Sequence, residues 1–388
     1  MAAIELPSRL PGVGTTIFTI MSEAARRAGA LNLSQGFPSF DPPAELRELV
    51  ARHIDSGHNQ YAPMTGVPAL TEAIAAQTAT RDRRRVDPVT EVTVTAGATE
   101  GLFCAIQAFL GPGDEAVLLD PAYDSYAPAV LLAGARPKHV AMDYDAERST
   151  FSIDWPKLEA ALGETTRLLV FNFPHNPTGA ILEPEDLDRL ANILRDSPTL
   201  LLADEVYEHI VFDDRRHRSV LAHDELWERS CVVSSFGKSL HVTGWKIGYC
   251  VAPAPLSAAL RKIHQFTTFA VSTPMQHAVA EYLERQPGFA GRLAEFYEAK
   301  RDRFLEGLAG SRFRWTPAAS TFFQLLDYSG VSQESDERLA LAWTEDPGVA
   351  SIPVSVFSKE RFGPRLLRFC FAKDDATLDE AARRLAAL

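Results

Sequence analysis

Between Thr15 and Gly29 the apolar side chains recur at helical spacing. Ile17, Phe18, Ile20, Met21, Ala24 and Ala25 fall on one side, and Gly29 supplies a stop, so the spacing predicts a short amphipathic helix. A second helix is predicted to open at Asp41-Pro42-Pro43 and to close at Gly57. Asp41 would cap it, and proline is tolerated in a first turn because its missing N–H has no partner there. Seven short apolar runs follow: Val92–Ala96, Ala116–Leu119, His139–Met142, Leu168–Phe173, Leu200–Ala203, Cys231–Ser235 and Ile247–Val251. Most are apolar on both faces, as in strands covered by helices on each side. Helical patterns fall between several of them, such as Pro184–Arg195 with Leu187, Leu190, Ile193 and Leu194 on one face. Strand–helix alternation predicts an α/β fold with a mostly parallel seven-stranded sheet. After about Pro274 the pattern changes. One long helix is predicted over Met275–Leu308, then strands at Thr321–Leu326 and Leu366–Phe371, with helices at Asp336–Thr344 and Thr377–Ala387. This reads as a smaller α+β unit. The expected division is an N-terminal arm over 1–45 that joins the small unit, a large unit over 46–285, and a small C-terminal unit over 286–388.

Composition narrows the function. The chain has 388 residues, 46% of them hydrophobic, enough for a large core. Lys plus Arg is 39 against 51 for Asp plus Glu, a net charge of −12, which argues against nucleic acid as a partner. The four cysteines, Cys104, Cys231, Cys250 and Cys370, form no CxxC and sit among apolar neighbours. They read as reduced, buried thiols, in keeping with a cytoplasmic location. The ten histidines contain no HExxH, so no metal site is expected. Met1 to Gly14 has no apolar leader segment, and no run of ~18 apolar residues suggests a membrane span.

Polar residues gather where the predicted strands end, which is where open α/β sheets bind ligands. Gly97-Ala98-Thr99 opens a helix and offers free N–H groups to a phosphate. Ser235 and Lys246 could add a hydroxyl and a cation. Asp204 ends an apolar strand, where a carboxylate needs a partner such as a protonated ring nitrogen. Tyr207 follows one turn later, and Asn176, held before Pro177, could donate to a phenolate oxygen. Lys238 leaves a strand through Gly237 and could be desolvated into a nucleophile. Tyr123 could stack on a ring. Taken singly, these are also a bare helix cap, a surface lysine, an ion-paired aspartate, a turn asparagine, a loop lysine and a core tyrosine. Together they fit one cofactor, pyridoxal 5′-phosphate.

The same residues carry a family resemblance. Ser235-Phe236-Gly237-Lys238, followed by Thr243-Gly244-Trp245-Lys246-Ile247-Gly248, is similar to the lysine signature of the fold type I, class I/II aminotransferases. Leu33-Ser34-Gln35-Gly36-Phe37-Pro38, Asn59-Gln60-Tyr61-Ala62-Pro63-Met64-Thr65-Gly66, Tyr123-Asp124-Ser125-Tyr126-Ala127-Pro128, Asp204-Glu205-Val206-Tyr207-Glu208-His209 and Arg368-Phe369-Cys370-Phe371-Ala372-Lys373 extend the likeness in family order. It is strongest to the methionine aminotransferase subgroup, with kynurenine–glutamine aminotransferases next. The resemblance implies that Lys238 tethers the cofactor aldehyde. Asp204 would pair with the ring nitrogen, Asn176 and Tyr207 would bind the ring hydroxyl oxygen, and Tyr123 would stack. Gly97, Ala98, Thr99, Ser235 and Lys246 would hold the phosphate. Arg368 would clamp the substrate carboxylate, helped by the backbone of Gly36, with Asn176 also on the substrate side. Tyr61 would reach the neighbouring subunit's phosphate, which implies a homodimer with shared sites. The implied reaction moves an amino group from an apolar, aromatic or sulfur-containing amino acid to a 2-oxo acid. A carbon–sulfur β-lyase on the same scaffold is the nearest alternative. Phe18, Phe37, Phe322 and Phe323 are the candidates for an apolar side-chain pocket. Three positions depart from the wider family: Lys246 replaces the usual Arg, a point charge in place of a fork, and His241 and Ser320 replace smaller residues.

Overall fold

The computed structural model describes residues 8–359 and 364–388. Of the N-terminal segment read as lacking a leader, Met1–Pro7 lies outside the described residues. All seven apolar runs form strands of one sheet: β1 (Val92–Thr95), β2 (Glu115–Asp120), β3 (Arg136–Ala141), β4 (Thr166–Asn172), β5 (Leu200–Asp204), β6 (Ser230–Ser235) and β7 (Gly248–Val251). Their order is β1-β7-β6-β5-β4-β2-β3, parallel except for β7, which runs antiparallel to both of its neighbours. Alternate residues of one strand serve opposite cores. Val117 and Leu119 of β2 join one cluster with Leu169, Phe171 and Val232, while Ala116 and Leu118 join another with Leu102, Val170 and Cys250.

The strand order places a crevice. The chain leaves β2 toward β3 on one side and leaves β4 toward β5 on the other, so the carboxyl ends of β2 and β4 border the point where connections diverge. Such switch points open a gap between adjacent crossover loops, and ligands settle there.

A third cluster forms around a second sheet, β8 (Phe323–Asp327), β9 (Ile352–Pro353) and β10 (Leu366–Cys370), in the order β8-β10-β9. Met21 and Leu33 from the N-terminal arm pack into it with Phe304, Phe322, Phe369 and Phe371. The backbone does the same: Leu31-Asn32 pairs in parallel with Val349-Ala350, and Leu33 O accepts from Cys370 N at 2.8 Å. These bonds bring Ser34–Gly36 to the edge of the crevice.

Two local expectations are corrected. Helix Ile17–Ala28 forms as expected, with Thr16 as cap and Gly29 left-handed at φ 61°. The next helix runs over Ala44–Asp55 with Pro43 at its cap position, and Asp41 pairs with Arg47 at 3.4 Å and caps nothing. The long helix over Met275–Leu308 is two helices, Thr273–Arg285 and Phe289–Gly307. Pro287 lacks the N–H a continuing turn requires, and its ring would strike the preceding turn. No helix among the described residues is long and apolar enough to cross a membrane. All four cysteines are buried and unpaired.

Candidate active site

The crevice holds a small pocket of about 170 Å³ lined by Ala98, Thr99, Leu102, Tyr123, Asn172, Asn176, Asp204, Val206, Tyr207, Ser235, Lys238, Thr243 and Lys246. Most arrive from the end of a strand or the turn that follows it; Leu102 comes from helix Gly97–Phe109, and Thr243 and Lys246 from the turn that precedes β7. Asp204 is the last residue of β5 and is 4% exposed. Tyr126 donates to its Oδ2 at 2.6 Å, and the Val206 N–H to its Oδ1 at 3.3 Å. Burial still wins and pushes the carboxyl up to about 6. It is therefore mostly ionised at neutral pH, a buried anion with one donor on each oxygen.

Lys238 sits in a single helical turn after β6. Ser235 caps that turn, its Oγ accepting from Gly237 N at 3.2 Å. The Lys238 amine donates to Gly36 O at 3.4 Å and lies 5.8 Å from the Tyr207 ring centre and 5.6 Å from that of Phe322. Burial pulls its pKa down to about 8, with the Lys246 and Arg368 cations pulling the same way. Glycine at position 36 lets the backbone approach the Phe323 ring, which a Cβ at 2.7 Å would have to displace.

On the other side, Gly97 begins helix Gly97–Phe109 at φ 75°, a left-handed conformation that suits glycine. A Cβ there would meet the Lys246 amine at 3.1 Å, so the cation sits over the helix N-terminus. Thr99 hydrogen-bonds Tyr123, whose hydroxyl is raised to about 12 by burial. Helix dipole, free N–H groups and ammonium converge on one anion-sized corner.

Arg368, on the central strand β10, is 1% exposed. Its Nη1 donates to Asn176 Oδ1 at 2.7 Å and its Nη2 to Ser34 O at 3.5 Å, while its buried Nε has no partner. The guanidinium lies 3.9 Å from the Phe323 ring centre, with Phe18 at 5.4 Å and Phe357 at 5.3 Å. Among the described residues no carboxylate pairs with it, and burial lowers its pKa to about 10.

The structure thus brings Gly36, Ala98, Thr99, Tyr123, Asn176, Asp204, Tyr207, Ser235, Lys238, Lys246 and Arg368 together, with Gly97 behind them. Tyr61 does not join them. It is 85% exposed and packs edge-on against Phe269 at 5.4 Å. Phe37 also lies elsewhere, 44% exposed and over the Lys373 amine at 4.7 Å. Its expected place in an apolar pocket falls to Phe357. His241 is packed among Phe40, Phe296 and Tyr297, outside the pocket, and Ser320 donates to Gly179 O at 2.8 Å.

Three contributors escaped the sequence reading. Tyr126 holds Asp204, and its only local signal is its position three residues after Tyr123. Asn172 donates to Asp204 O at 2.8 Å and accepts from Asn176 N at 3.0 Å, tying two strand ends together. Its signal is that it ends the apolar run Leu168–Asn172 with a polar side chain. Phe357 had no signal, because its role depends on a loop folding onto Arg368.

Residues 28–385 match the model of the family described as aminotransferase class I and II. The chain is 48% identical over 378 residues to a methionine aminotransferase of Escherichia coli K12, covering 97% of each. It is 39% identical over 390 residues to a probable N-succinyldiaminopimelate aminotransferase of Mycobacterium tuberculosis, covering 98% of each. The solved structure of Escherichia coli YbdL, described as having a methionine aminotransferase function, superposes with a TM-score of 0.96 at 47% identity over 100% of both chains. The pocket, the sheet that builds it and these likenesses agree, and the chain belongs to the class I and II aminotransferases.

Proposed function

We propose that this aminotransferase holds pyridoxal 5′-phosphate in the pocket and takes its amino group from an apolar or sulfur-containing amino acid, with methionine the leading donor. Enzymes of this family transfer amino groups between amino acids and 2-oxo acids. The donor set fits the cofactor: a buried anion at Asp204, an amine at Lys238, a cation over a helix N-terminus, and a buried arginine with an unpartnered Nε. When bound, the cofactor supplies an aldehyde for the amino group and a ring that accepts electron density from the substrate α-carbon.

Each residue then has a role. Ala98, Thr99, Ser235 and Lys246 bind the phosphate at the start of helix Gly97–Phe109. Asp204, its charge held by Tyr126, keeps a proton on the ring nitrogen. Asn176 Nδ2 and the Tyr207 hydroxyl orient the ring oxygen, and Tyr123 covers the ring face. Arg368 binds the α-carboxylate through its free N–H edge, replacing solvation that the guanidinium gave up on burial. Lys238 Nζ would take the proton from the substrate α-carbon and deliver it to the carbon that was the cofactor's aldehyde, across the transferred nitrogen. At about 8, its pKa leaves about half of the amine neutral at pH 8, whereas an ordinary lysine would be almost wholly protonated. Proximity supplies the rest of the rate.

One observation supports the side-chain preference. A cleft of about 730 Å³ shares Thr99, Leu102 and Tyr123 with the pocket and continues past Ile17, Phe18, Phe103 and Phe357. Its charged lining residues are Asp124 and Glu337, both acidic. An acidic substrate side chain would meet repulsion there, and a thioether would meet aromatic edges, which it favours. The 48% identical relative named for methionine points the same way. The exposed Tyr61 is assigned to the cofactor phosphate of a second copy, in a homodimer, and the four unpaired thiols support a cytoplasmic setting.

The test is a donor panel. Purified holoenzyme is given methionine, phenylalanine, leucine or aspartate with one 2-oxo acid acceptor, and the new 2-oxo acid is quantified. Methionine is expected to exceed aspartate at least tenfold in kcat/KM. Equal values would remove the apolar reading.

A further inference from the structure

Outside the pocket, three histidines from separate segments meet. His53 is in the last turn of helix Ala44–Asp55, His58 is in the loop after it, and His277 is in helix Thr273–Arg285. A ligand-capable nitrogen of each lies within 4.8 Å of those of the other two. His53 Nδ1 and His58 Nδ1 are 2.9 Å apart, and the His277 ring stacks beside both, at 4.1 Å from His58 and 5.3 Å from His53 between centroids. His53 Nε2 lies 3.0 Å from Glu281 Oε2, one turn beyond His277. Donating there places the His53 proton on Nε2 and leaves the Nδ1 lone pair facing the other rings. Metal-bound histidines are oriented in this way, by a carboxylate on the far ring nitrogen. Arg52 meets the same Glu281 Oε2, and Arg285 meets Oε1 at 2.5 Å, so the carboxylate is fixed in position.

We propose that His53, His58 and His277 form a three-imidazole site for a divalent late first-row transition ion such as Zn²⁺, with a fourth position open to water. Zn–N bonds of about 2.0–2.1 Å in a tetrahedral site set nitrogens roughly 3.3 Å apart, close to the 2.9 Å between His53 Nδ1 and His58 Nδ1, and the stacked rings must tilt so that their lone pairs converge on the ion. No bulky group has to leave. In the metal-free protein a proton on His58 Nδ1 satisfies His53 Nδ1. The ion takes its place, and His58 then carries its proton on Nε2. Burial lowers the pKa of His53 although Glu281 opposes it, and burial with the two neighbouring rings lowers that of His277. That direction favours the neutral imidazoles that ligation needs. Entry is open: His53, His277 and Glu281 line a cleft of about 880 Å³ that also carries Glu72 and Glu284. Arg81 also lines that cleft, but its carboxylates outnumber it, which favours a cation over an anion there.

The ion would join two helices and the loop between His53 and Tyr61. Thr273 Oγ1 already donates to Gln60 O at 2.5 Å, so the same loop is held at its far end. Binding would order the segment that presents Tyr61. This inference does not rest on the assigned substrate, because its readout counts zinc and not turnover.

The experiment titrates tag-free, chelator-treated holoenzyme with zinc chloride by calorimetry and follows the thermal midpoint in parallel. One Zn²⁺ per chain is expected, with a midpoint that climbs as free Zn²⁺ rises. His58→Gln and His277→Gln should each weaken binding by 100-fold or more, and Glu281→Gln by roughly 10–100-fold. His58 lies in a loop, so a metal-free midpoint near that of the unaltered enzyme will show that its variant is folded. Lack of saturable binding by the unaltered enzyme overturns the proposal. So does affinity in both histidine variants equal to that of the unaltered enzyme, which would place the ion elsewhere and leave the three rings as a stacked, hydrogen-bonded cluster.

Discussion

Arg301, on helix Phe289–Gly307, and Arg368, on β10, are both buried arginines lying over a phenylalanine ring, yet their surroundings differ. Arg301 donates two hydrogen bonds to Asp213 at 2.9 and 2.8 Å, one to Asp302 at 2.8 Å and one to Ala318 O at 2.8 Å. Burial works against its charge, but Asp213 and Asp302 more than offset that and raise its pKa. Arg368 has an amide oxygen, a distant carbonyl and an unpartnered Nε, and burial lowers its pKa. A guanidinium taken from water costs several kcal/mol unless an anion meets it. Within the chain that need is answered for Arg301. For Arg368 it is left to an incoming carboxylate, so part of the substrate's binding energy is the relief of a charge already desolvated. The same distinction separates Arg81, paired with Asp82 and Glu208, from the cations of the pocket.

The contrast can be broken at four points. The largest effect lies at the amine it serves. Lys238→Ala should abolish transamination without added amine, and turnover at the unaltered rate would dissolve the site altogether. Next, Arg368→Met should lower kcat/KM for amino acids by about 3 kcal/mol, on the order of 10²-fold, while the thermal midpoint holds or rises. A fall in midpoint with kcat/KM intact would make Arg368 a second structural arginine. Arg301→Met should do the reverse, losing about 2 kcal/mol of stability in a denaturant titration with kcat/KM within about twofold of the parent.

The smallest effect concerns Asp204. Tyr126→Phe removes the 2.6 Å donor that favours the carboxylate over the acid. The Asp204 pKa should then rise from about 6. Because the protonated form lacks the charge that holds the ring proton, activity should fail at a higher pH as pH is lowered. The acidic limb of the kcat/KM profile should move up by about one unit, roughly 1.4 kcal/mol. An unmoved limb would mean that Asp204 does not set it.

Much of this was legible in the chain. Six strands of the large sheet could be read because they are buried along almost their whole length and show as largely apolar runs, whereas the edge strand Arg136–Ala141 is mostly half-exposed and was marked only by its last residues. Asp204, Asn176, Ser235 and Lys238 stand out for the same reason: each is a polar group placed where such a run stops. Asp41 misled because an N-cap residue depends on the exit angle of the chain, which Pro43 sets. Met275–Leu308 misled because helical periodicity persists across Pro287 although the backbone cannot. Arg368, Gly36 and Tyr61 were reached through family likeness and not through local pattern, since nothing adjacent in the chain marks them.

By itself the amino-acid sequence determined the layered architecture, the family and the chemical types gathered at the strand ends, because apolar period and strand–helix alternation are local properties. Only the tertiary structure decided which groups meet: Tyr126 with Asp204, Phe357 with Arg368, His53 and His58 with His277. Those meetings depend on strand order and loop closure, and residues far apart in the chain carry no trace of them. A buried charge without its counterion, like Arg368, becomes visible only when every neighbour is in place.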